Sequence, residues 1–188
     1  MKRYSYAALG VGVATVLAVL TAYGEMKRMI IFDFHADADM SLWEIENDVV
    51  MGGRSESRLT LSDKGSALFS GTVSLENNGG FASMQYHFPA VEIAGHTTAH
   101  IQLRGDGKRY LLLVEAVENA RHYYMAEFDT SGEWETVVIP LHEMVPMWRG
   151  DRLDLPSFSA HTLAQVRIMI ANQKRESFAL AIDSIWLE

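Results

Sequence analysis

The chain has 188 residues, with 16 Lys+Arg against 24 Asp+Glu, a formal net charge of −8 and no cysteine. That acidic balance excludes a duplex-binding surface, which must neutralise phosphates with clustered Lys and Arg. The missing thiols exclude disulfides, thiolate metal sites, a cysteine nucleophile and a lipid-modified cysteine anchor.

Lys2 and Arg3 precede an apolar stretch from Ala7 to Tyr23, and Ala22-Tyr23-Gly24 offers the small residues of a cleavage site. Residues 1–24 are therefore expected to be a secretory signal, which predicts a periplasmic or envelope location. Two alternatives stand beside it. The stretch lies at the short edge of what spans a bilayer, so it also suits an uncleaved anchor, the chain's one route to a membrane. Translation from Met26 would make "MKRMIIF" an ordinary cytoplasmic start. Without residues 1–24 the chain carries 14 basic against 24 acidic residues, a net −10. Residues 25–188 are expected to form a single β-sandwich domain, with enough chain to bury a full core.

"DFHADAD" sets Asp33, His35, Asp37 and Asp39 two apart. Oxygen-rich clusters hold calcium, but no glycine-bearing loop accompanies this one, and it reads as a solvated strand end and loop. Two glycine pairs follow, Gly52-Gly53 in "NDVVMGGRSES" and Gly79-Gly80 in "SLENNGGFAS". Glycine allows φ > 0 or a close approach that a Cβ would block. A phosphate cradle would need a helix after the glycines, whereas "RSESRLTL" alternates as a strand does. Ser55, Ser57, Leu59 and Leu61 share one face of it, polar at the glycine end and apolar beyond. Arg54, Glu56 and Arg58 line the other face. Two readings follow: the charged face is an ordinary solvated one with weak ion pairs, the weightier of the two, or the strand runs from a polar site at its glycine end into the core.

Further alternation marks strands at Ala82, Met84, Tyr86 and Phe88, at Ile101 and Leu103, and at Val166, Ile168 and Ile170. "YLLLVEAV" (110–117) begins continuously apolar, as a central strand covered on both faces does. At the C-terminus Phe178, Leu180 and Ile182 share one parity and Ile185 and Leu187 the other, which predicts a bulge near Asp183-Ser184. "RGDGKR" reads as a hairpin around Asp106-Gly107. Short helical turns are expected near 141–145 and 161–164, and Pro89, Pro140, Pro146 and Pro156 are assigned to connections. About ten strands with such turns define an all-β, two-sheet antiparallel jelly-roll sandwich.

The seven histidines form no H-E-x-x-H, so neither a metal site nor a cofactor is expected. Carboxylates are abundant, but only their separation would reveal glycosidic chemistry. Most of the four tryptophans should be core, whereas Trp148 in "VPMWRGDR" should be exposed. Asp48, Arg54, Asn77, Asn78, Trp148 and Arg149 are expected to share one binding surface on loops at the sandwich edge. Gly52, Gly53, Gly79 and Gly80 are expected to be structural.

Taken in order, "FDF", "DVVMGGRSES", "LFSGTVSLENNGGFAS", "LRGDGKRYLL", "YYMAEFDTSGEWETVVIP", "PMWRG" and "FALAIDSIWLE" resemble the complex I intermediate-associated protein 30 family. The match covers nearly all of residues 25–188, and the two glycine-pair segments are its specific part. The resemblance implies a galactose-binding-like jelly roll. It also implies a factor that assists assembly of NADH:ubiquinone oxidoreductase without catalysis, so no catalytic residue is carried over. The partner would then be a protein, membrane-complex subunits included. The export signal departs from those relatives, which act in the mitochondrial matrix. A carbohydrate-binding module of the bacterial envelope is the alternative that fold and Trp148 favour, and a carbohydrate-active enzyme using loop carboxylates is a third.

Overall fold

The period-two segments pair into two antiparallel sheets packed face to face. The computed structural model describes residues 28–63 and 65–188, so the signal assigned to residues 1–24 and the start at Met26 lie outside the described residues. Among the described residues thirteen strands run in chain order: β1 (Met29–Asp33), β2 (Trp43–Asn47), β3 (Glu56–Leu61), β4 (Ala67–Val73), β5 (Ala82–Glu92), β6 (Thr98–Arg104), β7 (Arg109–Glu115), β8 (Tyr123–Asp129), β9 (Trp134–Pro140), β10 (Val145–Trp148), β11 (Asp151–Arg152), β12 (Thr162–Ile170) and β13 (Glu176–Leu187). The count exceeds the sequence estimate because segments as short as β11 cannot display alternation.

One sheet has the order β3-β4-β13-β6-β9, with β1 beside the C-terminal half of β13, and the other has the order β11-β10-β8-β7-β12-β5-β2. The chain has the all-β jelly-roll architecture. Phe69, Met84, Ile101, Leu103, Tyr110, Leu112, Ile168 and Leu180 are fully buried between the sheets. At about 25 cal/mol per Å² of apolar surface removed from water, burial of such side chains is the main stabilising contribution. β7 lies between β8 and β12, the central position that its apolar run predicts. Pairing of β13 shifts between Ile182 and Ser184, so the expected bulge is present and turns both apolar sets inward.

Three local readings are corrected. The Arg104–Arg109 link is no hairpin: β6 belongs to one sheet and β7 to the other. Asp106 instead ties this crossover down, accepting hydrogen bonds from Lys108 Nζ, the Tyr110 hydroxyl and Ala179 N. Residues 162–164 start β12 rather than forming a helical turn, because pairing with β5 overrides a weak local preference. Pro89, Pro140 and Pro146 lie within strands, Pro140 as the last residue of β9. Pro89 is tolerated where the β5–β12 register shifts, a position without a ladder bond to lose. The turn at Leu141–Glu143 is present as a 3-10 turn.

Candidate functional site

Both glycine pairs wrap one buried carboxylate. β2 ends at Asn47 and a 3-10 turn, Asp48–Met51, follows, closed by Gly52 at φ +91. Asp48 is fully buried. Its Oδ1 accepts from Ser55 N at 2.9 Å. Its Oδ2 accepts from the Ser55 hydroxyl, from Gly80 N at 2.6 Å and from Phe81 N at 3.3 Å. Ser55 Oγ in turn accepts from Ser74 N at 2.9 Å. A Cβ on Gly79 would stand 2.6 Å from Asp48 Oδ2, and one on Gly53 would meet Oδ1 closer still. These two glycines are required by contact with Asp48, whereas Gly80 holds φ +146. Burial, the largest single influence on the Asp48 carboxyl, pushes its pKa up. The Ser55 hydroxyl and the Gly80, Ser55 and Phe81 amides together outweigh it and hold the pKa below the usual carboxylate range.

Four of the six sequence-selected residues gather at this brace. Asn77, at φ 55, donates from Nδ2 to Gly52 O at 3.1 Å, and Asn78 follows at φ 60. Arg54 pairs with Glu76 at 3.1 Å on the surface. The expectation of one shared surface fails on two counts. Asp48 faces inward and its oxygens are occupied by the loops themselves. Trp148 ends β10, five strand spacings from β2 across the sheet, or about 24 Å at the usual inter-strand distance. There Trp148 is exposed, with the Arg149 guanidinium 4.8 Å from its ring centre. The two groups stand at opposite margins of the seven-stranded sheet.

Between those margins, the face of this sheet turned away from the core carries a site that the sequence reading did not select. Glu44, Gln85, Arg167, Leu113, Met125 and Val145 stand opposite one another in register across β2, β5, β12, β7, β8 and β10. A neighbouring row holds His87, Gln165 and Glu115, with Tyr123 opposite Met147 further along. Gln165 Nε2 reaches Gln85 Oε1 at 3.2 Å and His87 Nε2 at 3.0 Å. Arg167 pairs with Glu46 at 2.8 Å. Gln165 and Leu113 are 2 % exposed although they point away from the core. Flanking side chains therefore rise around them, and the face is a trough, polar on β2, β5 and β12 and at Glu115 of β7, and apolar or aromatic at Leu113, Met125, Val145, Tyr123 and Met147.

The polar end opens into a cavity of about 360 Å³ lined by His87, Phe88, Pro89, Glu115, Glu118, Asn119 and Ala164. Burial raises the Glu115 pKa against the opposing pull of His87 and Arg167. The trough could orient a neutral, hydroxyl-bearing ligand through amide, imidazole and guanidinium groups while its apolar half packs against C–H surface. Its signal in the sequence was the polar parity of two alternating strands, Ser83-Gln85-His87 and Gln165-Arg167. Nothing local distinguishes such positions from an ordinary wet face. Among the described residues no group of three or more His, Asp or Glu is placed to hold a metal ion, Asp33, His35, Asp37 and Asp39 included. Asp39 instead caps the 3-10 turn Met40–Leu42 through Ser41 N.

The fold is that of a two-sheet antiparallel jelly-roll sandwich. The family described as complex I intermediate-associated protein 30 matches residues 32–182, and the chain belongs to that family. Its fold is similar to that of a family 11 carbohydrate-binding module from a cellulosomal cellulase of Clostridium thermocellum. That pair shares 13% identity and a TM-score of 0.62 over 87% of this chain and 95% of the module. A family 11 module from the same organism, solved with a β-1,3-1,4-mixed-linked tetrasaccharide, is similar at 15% identity and a TM-score of 0.60 over 85% and 94%. An exo-β-agarase is similar at 11% identity and a TM-score of 0.56 over 85% of this chain and 25% of the agarase.

Proposed function

We propose that the protein is a non-catalytic binding module and that its ligand, a carbohydrate, lies along the trough of the seven-stranded sheet. The observation that carries the reading is Gln165, buried on a face turned away from the core and held by Gln85 and His87. Desolvating an amide there has no packing benefit for the core, whereas fixed amide and imidazole groups beside Tyr123 and Met147 suit a ligand with many hydroxyls. The shared fold with carbohydrate-binding modules supports this choice, and export directed by residues 1–24 would bring the module to envelope polysaccharides. Retention on immobilised glycans, followed by calorimetry with the mixed-linkage tetrasaccharide and other oligosaccharides, tests it. Gln165→Ala and Tyr123→Ala should each abolish retention without loss of fold. Retention unchanged in both variants would refute the assignment.

A protein partner is the second reading, favoured by family membership and by one further observation. The turns braced through Asp48 present Val49, Met51 and Leu75 to solvent. Rigidly held apolar side chains beside a sheet edge suit a protein contact. Here the partner would be a subunit of a membrane complex, captured from native membranes by the protein and lost on Met51→Ser with Val49→Ser.

A further inference from the structure

We propose that the outer face of the six-stranded sheet carries a second saccharide site, centred on Trp134 and independent of the trough. A groove of about 380 Å³ is lined by Arg28, Gln102, Trp134, Asp183, Ser184 and Trp186. Register places these groups on one face: Trp134 stands opposite Arg104, Gln102 opposite both Thr136 and Ser184, and Trp186 opposite His100. Trp134 lies on the edge strand β9 and is 44% exposed. A large aromatic left in water at a sheet margin adds little to the core and supplies a flat apolar platform.

The surrounding polar groups select the ligand class. Arg28 sits 4.1 Å over the Trp186 ring and Arg104 5.7 Å from the Trp134 ring centre. Both tryptophans thus already carry a guanidinium, and a cationic ligand would meet two like charges. An anion would meet the carboxylates of Asp183 and Glu188, the latter held by Trp186 Nε1 at 2.9 Å and Arg28 Nε at 3.3 Å. A neutral ring with hydroxyls avoids both penalties. The Gln102 amide, oriented by the Thr136 hydroxyl at 2.6 Å, and Ser184 line the groove and can meet such hydroxyls. Trp134 would cover the apolar face of the ring.

The test is a titration of the protein with neutral monosaccharides and β-linked tetrasaccharides of glucose, galactose, mannose and xylose up to their solubility limits. The indole Nε1–H resonance of Trp134, assigned with Trp134→Phe, is the readout for the natural chain, Gln102→Ala and Gln165→Ala, and calorimetry gives the affinity where Trp134 itself is replaced. At least one saccharide should shift it saturably, and Trp134→Ala should lower that affinity about tenfold, the upper end of what one aromatic contact contributes. Gln102→Ala should weaken binding without altering the aromatic groups. Gln165→Ala, which empties the trough reading, should leave this titration unchanged. No shift with any of these saccharides, an affinity unchanged in both groove variants, or loss of the shift in Gln165→Ala would each overturn the site.

Discussion

Replacing Asp48 with alanine should destabilise the protein by about 4 kcal/mol, estimated at two unpartnered buried donors of about 2 kcal/mol each. The carboxylate serves four donors, the amides of Ser55, Gly80 and Phe81 and the Ser55 hydroxyl. Of these, the hydroxyl can turn to Ser74 O, already 3.4 Å away, and water entering the vacated space can serve another, which leaves two. The loss is a large part of the roughly 5–15 kcal/mol that holds a typical domain folded. Asp48→Asn keeps the shape and one acceptor oxygen but turns an NH2 toward a backbone N–H, so it should cost about 2 kcal/mol. Because the folded carboxyl titrates below its ordinary value, its contribution is complete above the unfolded pKa of about 3.9 and is lost as pH falls through the folded value. Urea unfolding followed by circular dichroism should show both losses in full at pH 7. The gap between the natural chain and Asp48→Asn should narrow below about pH 4. An Asp48→Ala protein within about 1 kcal/mol of the natural one at pH 7 would refute the brace as the reason for the glycine pairs.

The glycines should rank by contact rather than by φ alone. Gly53→Ala and Gly79→Ala drive a Cβ into Asp48 and should each cost about 2–3 kcal/mol, whereas Gly52→Ala, at φ +91 in open space, should cost only about 1 kcal/mol; equal thermal midpoints in the three would contradict the ranking. The raised pKa of Glu115 works in the opposite sense to that of Asp48: its contribution is complete below the unfolded carboxyl value and is lost as pH rises through the folded one. Glu115→Gln should therefore raise the thermal midpoint at pH 7 and leave it nearly unchanged at pH 3, and a lowered midpoint at pH 7 would show that His87 and Arg167 outweigh burial.

Alternation alone was sufficient to identify the main strands, because a half-buried sheet imposes period two on every residue regardless of its neighbours. It also located the β13 bulge, since only an inserted residue lets Phe178, Leu180 and Ile182 face the same way as Ile185 and Leu187. The strand after Gly53 was likewise legible, as β3, and Arg54 before it pairs with Glu76 on the surface, as a solvated face does. What the sequence left open was everything that depends on which strand meets which. A D-G turn has the same chemistry whether the next strand returns beside the first or crosses to the other sheet, so "RGDGKR" could not reveal that β6 and β7 lie in different sheets. Asp48 reads as a polar loop residue until Gly80 and Phe81, more than 30 positions later, are seen to donate to it. Trp148 and Arg54 look alike as loop groups, and only the strand order sets them at opposite margins. The trough draws on six strands whose side chains are remote along the chain. Register decides their neighbours, because pairing one residue out would turn the same polar groups into the core.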